Sequence, residues 1–304
     1  MKQIVVFSGK GGTGKTSIAA SFAALAENAL YADCDVDASN LHIILQPDIR
    51  ETYTFMGPKG AKILQDQCTG CLECIGACRY DAILEEKGTV RVNPFLCEGC
   101  GVCYHLCPVD AVSFEQRESG EWYVGETKYG TLVYAELFPG EENSGKLVTE
   151  VRKKVKQLGE QAKKEWCIID GPPGTGCAVM ASITGADAAV LVTEPTVSGI
   201  HDMRRALELA AFFSIPAGVV INKSSINPEQ TDSIRKECED SNIPLLGEIP
   251  YARSVIDSVS ECVPYVEFRD DEISRALRNI WENCILMTKS DGENSDERTN
   301  EGTN

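Results

Sequence analysis

The sequence predicts an α/β fold, a doubly wound and mainly parallel sheet, interrupted by a small inserted α+β domain. Three observations carry that expectation. A β-branched apolar run, "QIVVFS" at 3–8, leads through a glycine-rich loop into a helical segment, "KTSIAASFAALAEN" at 15–28. Further strand-like runs at 188–193, "AAVLVT", and 217–222, "AGVVIN", alternate with helical segments such as "GIHDMRRALELAAFF" at 199–213, the pattern of a parallel sheet. Two four-cysteine runs, 68–78 and 97–107, break into that alternation.

Of the 304 residues, 43% are hydrophobic and 25% charged, and the formal net charge is -17. Such an acidic surface repels the phosphates of nucleic acid and anionic lipid, so neither is expected as a partner. The longest apolar stretch, "AFFSIPAGVVI" at 211–221, holds a proline and is too short to span a membrane. The N-terminus offers one lysine and then "IVVF", too little for a signal-peptide core, so a cytoplasmic location is expected. Only three histidines, His42, His105 and His201, are present, which argues against histidine-based hydrolase chemistry. Fourteen cysteines without a secretory signal point to metal rather than disulfides. The six outside the two runs (Cys34, Cys167, Cys177, Cys238, Cys262, Cys284) are expected mostly to fill core space.

The loop after the first strand, "GKGGTGKT", fits G-x-x-x-x-G-K-[ST] and so predicts a P-loop NTPase binding ATP and Mg²⁺. Gly9, Gly11, Gly12 and Gly14, with Thr13, let the backbone N–H groups face phosphate oxygens, and the helix start at Lys15, Thr16 and Ser17 adds partial positive charge. Lys15 would reach the β- and γ-phosphates and Thr16 the magnesium. After a second apolar run, "ALYADCDVDASN" sets Asp33, Asp35 and Asp37 at alternate positions, on one face of an extended segment. "WCIIDGPPGTG" at 166–176 reads as a buried strand ending at Asp170, where an aspartate can bind magnesium water. A second glycine–lysine pattern, "GEENSGKL" at 140–147, has Leu147 where the magnesium hydroxyl belongs and reads as a helix start instead.

The cysteine runs "CTGCLECIGACRYDAI" and "CEGCGVCYHLCPVDAV" match four for four, 29 residues apart. Each is C-x₂-C-x₂-C-x₃-C, the spacing of bacterial two-cluster ferredoxins, in which the fourth cysteine serves the other cluster. Cys68, Cys71, Cys74 and Cys107 would hold one 4Fe–4S cluster, and Cys97, Cys100, Cys103 and Cys78 the second. Arg79 stands where Pro108 follows the second run, which weakens a turn and removes no ligand. Structural zinc usually takes paired cysteines with a longer spacer and fits this pattern less well.

The early lysine of the loop, Lys10, together with "ADCDVD" and "GPPGTG", resembles the deviant Walker A ATPases of the MinD, Mrp and nitrogenase-iron-protein group, here with an inserted ferredoxin domain. The resemblance covers all but the tail. It implies that Lys10 reaches a partner's nucleotide in a homodimer closing on ATP, that Asp35 orients the attacking water, and that Asp33 supports the magnesium site. It implies a γ-phosphate-sensing switch at "GPPGTG", although Cys177 stands where Mrp relatives often carry aspartate, and an adenine contact from Asn222 in "INK". The expected domains are an ATPase at 1–59 and 117–289, a two-cluster insert at 60–116, and an acidic tail at 290–304. A hairpin is read at 121–137, and a final helix at 271–289 with residues 273, 277, 280, 281 and 284 on one face. The expected function is an ATPase coupling Mg-ATP turnover to electron transfer through two 4Fe–4S clusters. The alternative is an Mrp-type cluster scaffold or carrier, so the outside partner is a redox protein or an iron–sulfur recipient.

Overall fold

The computed structural model describes residues 1–141 and 144–289, so the tail lies outside the described residues. In chain order the elements are β1 (Lys2–Ser8), α1 (Lys15–Leu25), β2 (Ala29–Asp33), α2 (Leu41–Leu45), β3 (Asp48–Ile63), α3 (Glu73–Ala77), β4 (Ile83–Glu86), β5 (Thr89–Val92), α4 (Val102–Leu106), β6 (Val112–Thr127), β7 (Gly130–Leu137), α5 (Ser144–Gln161), β8 (Trp166–Pro173), α6 (Cys177–Ile183), β9 (Ala188–Thr193), α7 (Val197–Phe212), β10 (Ala217–Asn222), α8 (Pro228–Asp240), β11 (Leu245–Ile249), α9 (Ser254–Ser260), α10 (Tyr265–Phe268) and α11 (Glu272–Met287). They divide into two compact units. One holds Met1–Thr52, Trp122–Glu136 and the chain from Ser144, and the other holds Tyr53–Glu121 with the segment starting at Leu137.

In the first unit the strand order is β11-β10-β9-β1-β8-β2-β7, followed by β6 and β3. Every pairing from β11 to β7 is parallel, so the connections cross over through helices. β1 lies mid-sheet and is buried from Ile4 to Ser8, which is why its sequence is an unbroken apolar run rather than an alternating one. β6 and β7 are joined only by Lys128 and Tyr129, so they form the hairpin that the sequence predicted. The Thr127 hydroxyl accepts from the Tyr129 and Gly130 N–H groups and closes that turn. α11 buries Ile273, Leu277, Ile280, Trp281 and Cys284, the predicted face, in the same core as Phe22 and Ile168. No helix among the described residues is long and apolar enough to cross a membrane.

The second unit repeats itself in its backbone as well as its sequence. Left-handed residues occur at Gly70 and Gly99 (φ 69° and 65°), at Leu72 and Gly101 (64° and 74°), and at Asp81 and Asp110 (50° and 51°). Each pair is 29 positions apart. Leu72 and Gly101 stand immediately before α3 and α4. β4 and β5 form an antiparallel hairpin, Ile83 opposite Val92, through Lys87 and Gly88. Both turn residues have positive φ, as a two-residue hairpin that follows the strand twist requires. Ile63, Ile83, Val90, Cys103 and Val112 form the apolar core, with Cys68, Cys74, Cys78 and Cys107 packed against it.

Candidate functional site

The glycine-rich loop turns from β1 into α1 with Gly12 and Gly14 at φ 76° and 91°, a conformation that suits glycine. A Cβ on Gly14 would also strike Nδ2 of Asn222. The loop walls a cavity of about 600 Å³ with Asp35, Asp37, Ser144, Pro172, Pro173 and Cys177. That is ample for a nucleotide-sized ligand. Lys15 is only 5% exposed, and its Nζ lies 3.9 Å from Oδ2 of Asp35. Thr16 and Ser17 line the same cavity.

Three carboxylates meet behind the loop. Asp33 and Asp170 are in register on the adjacent parallel strands β2 and β8, and both are fully buried. Asp33 accepts four hydrogen bonds, from the Asp35, Asn40 and Leu41 N–H groups and from the Ser39 hydroxyl. Burial raises its carboxyl despite those bonds. Asp170 has no such support: neither oxygen accepts a hydrogen bond of ordinary geometry. Burial, and then the Asp33 charge, raise it well above the usual range, while Lys15 and the nearby Thr16 hydroxyl favour its ionised form. A buried carboxylate without a partner is costly. Thr16 lines the cavity and the Asp170 carboxylate is buried beside it, a pair whose chemistry fits Mg²⁺, which binds through one or two carboxylates plus phosphate oxygens. Asp35 stands nearer the opening, raised to about 6 by burial, with Lys15 opposing and Asp33 and Asp37 adding to the rise.

Lys10 and Asn222 are turned onto their own chain. Nζ of Lys10 lies 2.6 Å from Oε1 of Glu194 and within hydrogen-bond distance of the Thr196 and Ser198 hydroxyls. Glu194 also takes Lys223 at 3.0 Å, and Lys223 donates to the Gly12 carbonyl. Burial opposes ionisation of Glu194, but the two lysines outweigh it and lower its carboxyl. Asn222 donates to the Thr13 carbonyl at 2.7 Å, so in this structure it braces the phosphate loop. The sequence reading overlooked Glu194 and Lys223. The signal was present, since each directly follows a parallel strand, where sites of α/β sheets are built.

In the second unit the eight cysteines of the two runs line two pockets. Cys68, Cys71, Cys74 and Cys107 line one, and Cys78, Cys97, Cys100 and Cys103 line the other. Each pocket thus draws three cysteines from one run and the fourth from the other. The Ala111 N–H donates to Sγ of Cys107 at 3.2 Å. Burial raises the Cys74 and Cys103 thiols, and neighbouring cysteines add to it. Among the described residues no three His, Cys, Asp or Glu side chains converge as ligands of a single metal ion. Outside these runs, Cys34, Cys167, Cys238 and Cys284 are buried, Cys262 is half-buried, and Cys177 is exposed.

Residues 4–265 match the model of the CobQ/CobB/MinD/ParA nucleotide binding domain. The chain is 37% identical over 236 residues to the uncharacterized protein MJ0578 of Methanocaldococcus jannaschii, covering 74% of this chain and 79% of that one. A ferredoxin of Rickettsia felis is 36% identical over 62 residues, 20% of this chain and 57% of the ferredoxin. In fold it is similar to the septum site-determining protein MinD, complexed with Mg-ADP, from Pyrococcus horikoshii. That structure gives a TM-score of 0.56 at 19% identity, covering 92% of this chain and 94% of that one. With the family match running through most of its length and a phosphate loop set between β1 and α1, the chain belongs to the CobQ/CobB/MinD/ParA nucleotide-binding family and is a P-loop ATPase.

Proposed function

We propose that this ATPase couples Mg-ATP turnover to electron transfer through two 4Fe–4S clusters held by its second unit. The observation that carries the reading is the division of eight cysteines into two pockets of four, with the fourth cysteine of each run crossing to the other pocket. That is the ligand exchange of two-cluster ferredoxins. When bound, such clusters supply one-electron chemistry. The chain supplies thiolates, an N–H donor on the Cys107 sulfur, and an apolar backing of Ile63, Ile83, Val90 and Val112 that limits water.

At the nucleotide, loop N–H groups and Lys15 would hold the phosphates, Thr16 and Asp170 with Asp33 would hold magnesium, and Asp35 would orient the attacking water. Lys10 would serve a second copy's nucleotide in a dimer, once Glu194 releases it. Anaerobic reconstitution with iron and sulfide tests the reading. The brown protein should reduce an acceptor protein only with Mg-ATP, and Cys100→Ser should lose that activity while keeping ATP hydrolysis. A wild-type protein that takes up no iron would refute it. Cys71 and Cys100 are exposed, which favours a second reading, delivery of clusters to recipient proteins. Transfer of labelled iron to an apo-protein would distinguish that reading.

A further inference from the structure

The segment after β2 contains a polar and aromatic chain that neither phosphate binding nor cysteine ligation uses. The Ser39 hydroxyl donates to Oδ2 of Asp33 at 2.8 Å. Its single proton is thereby committed, so its 3.3 Å contact with Nδ1 of His42 requires the imidazole to be the donor. Hydrogen counting therefore sets the direction: His42 Nδ1–H to Ser39 Oγ, and Ser39 O–H to Asp33. The other ring nitrogen, Nε2, lies 3.7 Å from Oε1 of Glu136 on β7. The face of the His42 ring stacks on Tyr134 of β7, with centroids 4.7 Å apart and planes at 12°. Tyr134 in turn stacks on Tyr123 of β6 at 4.8 Å. One imidazole thus touches a hydroxyl that holds Asp33 and an aromatic pair on two strands. β6 is the strand by which the chain returns from the cysteine-bearing unit, and β7 leads to the segment that enters it again.

We propose that His42 is a positioning residue that ties the Asp33 carboxylate of the nucleotide site to β6 and β7, so that occupation of the magnesium site is felt by those strands. The inference rests on the reading of Asp33 as part of the magnesium site. A shift of the Asp33 carboxylate on nucleotide binding must be followed by Ser39, whose hydroxyl it accepts from. His42 must then tilt or translate, and its ring cannot move without sliding on Tyr134. Packed rings have few alternative arrangements, so a small displacement is passed on rather than absorbed.

Hydrogen–deuterium exchange of the full chain, with and without a non-hydrolysable Mg-ATP analogue, tests the relay without requiring bound clusters. In the wild type the analogue should protect the loop at 9–17 and also change exchange across 123–136. Tyr134→Phe retains the stack and should behave as wild type. His42→Ala and Ser39→Ala should keep loop protection but lose the change across 123–136. A merely structural role would raise exchange with and without nucleotide and leave the difference between the two states intact. A wild-type response across 123–136 in both variants, or none in the wild type, would overturn the relay. Loss of loop protection in the wild type would sink the nucleotide site and the relay with it, while a chain that binds no iron leaves this test standing.

Discussion

Asp35 shows what burial beside other carboxylates does to a single group. Burial raises its carboxyl to about 6 in the nucleotide-free protein, with Lys15 opposing. The folded chain therefore holds that proton more tightly than the unfolded chain does. Stability from the protonated form is full below about pH 4 and is lost as pH rises through about 6. Above that, the ionised group costs at most about 3 kcal/mol, reduced by solvent screening. Asp35→Asn should stabilise the nucleotide-free protein at about pH 8 and not near pH 4, as urea denaturation would show. The same variant should lower kcat by about 10²–10⁴, the usual worth of a group that orients or deprotonates a nucleophile.

Asn222 makes a second residue-scale test. Since it holds the Thr13 carbonyl, Asn222→Ala should cost about 1 kcal/mol of stability and loosen the phosphate loop. Affinity for ATP and GTP should then fall together; loss confined to ATP would restore the adenine contact that the family resemblance implied.

Among the elements, those that bury both faces or one full stripe were legible. β9 and β10 lie at the residues their β-branched runs mark, 188–193 and 217–222. α11 buries the five positions that its spacing selected. β3 has no counterpart among the sequence expectations, and it holds Gly57, Pro58 and Gly60, residues that strands disfavour. In the structure the two glycines are places of close approach. A Cβ on Gly57 would strike the Ser119 side chain, and one on Gly60 would meet the stem of Arg117, so glycine keeps the strand open to its neighbour. At the nucleotide site the loop lies where its motif stands, between β1 and α1, and Asp33 ends β2, but Asp170, read as the end of its strand, lies inside β8, which runs on to Pro173. Glu194 and Lys223 are each marked by their place after a strand, but their pairing with Lys10 is not, because it joins residues from three strand ends that only the sheet order brings together. α11 also offers a direct stability test. Asp271 caps it by accepting from the Ile273 and Ser274 N–H groups, so Asp271→Ala should cost about 1 kcal/mol. Trp281→Ala, which empties a core site packed on Phe22 and Trp166, should cost about 3–5 kcal/mol in the same denaturation assay.

For the molecule as a whole, the question is why an ATPase should carry a cysteine-rich unit. The chain leaves the nucleotide-binding sheet within β3 and returns within β6. A unit carried on two strands of that sheet is covalently tied to whatever those strands sense. The net charge of -17 disfavours nucleic acid as the readout; the readout proposed above is electron transfer at the paired cysteine pockets. The most direct measurement is electron paramagnetic resonance, with iron and sulfide analysis, of the full chain purified and reconstituted without oxygen. The account predicts about eight irons and eight sulfides per chain, the content of two cubanes, and a reduced-cluster signal that changes when Mg-ATP is added. A chain that binds Mg-ATP yet retains no iron, or whose cluster signal ignores the nucleotide, would contradict it.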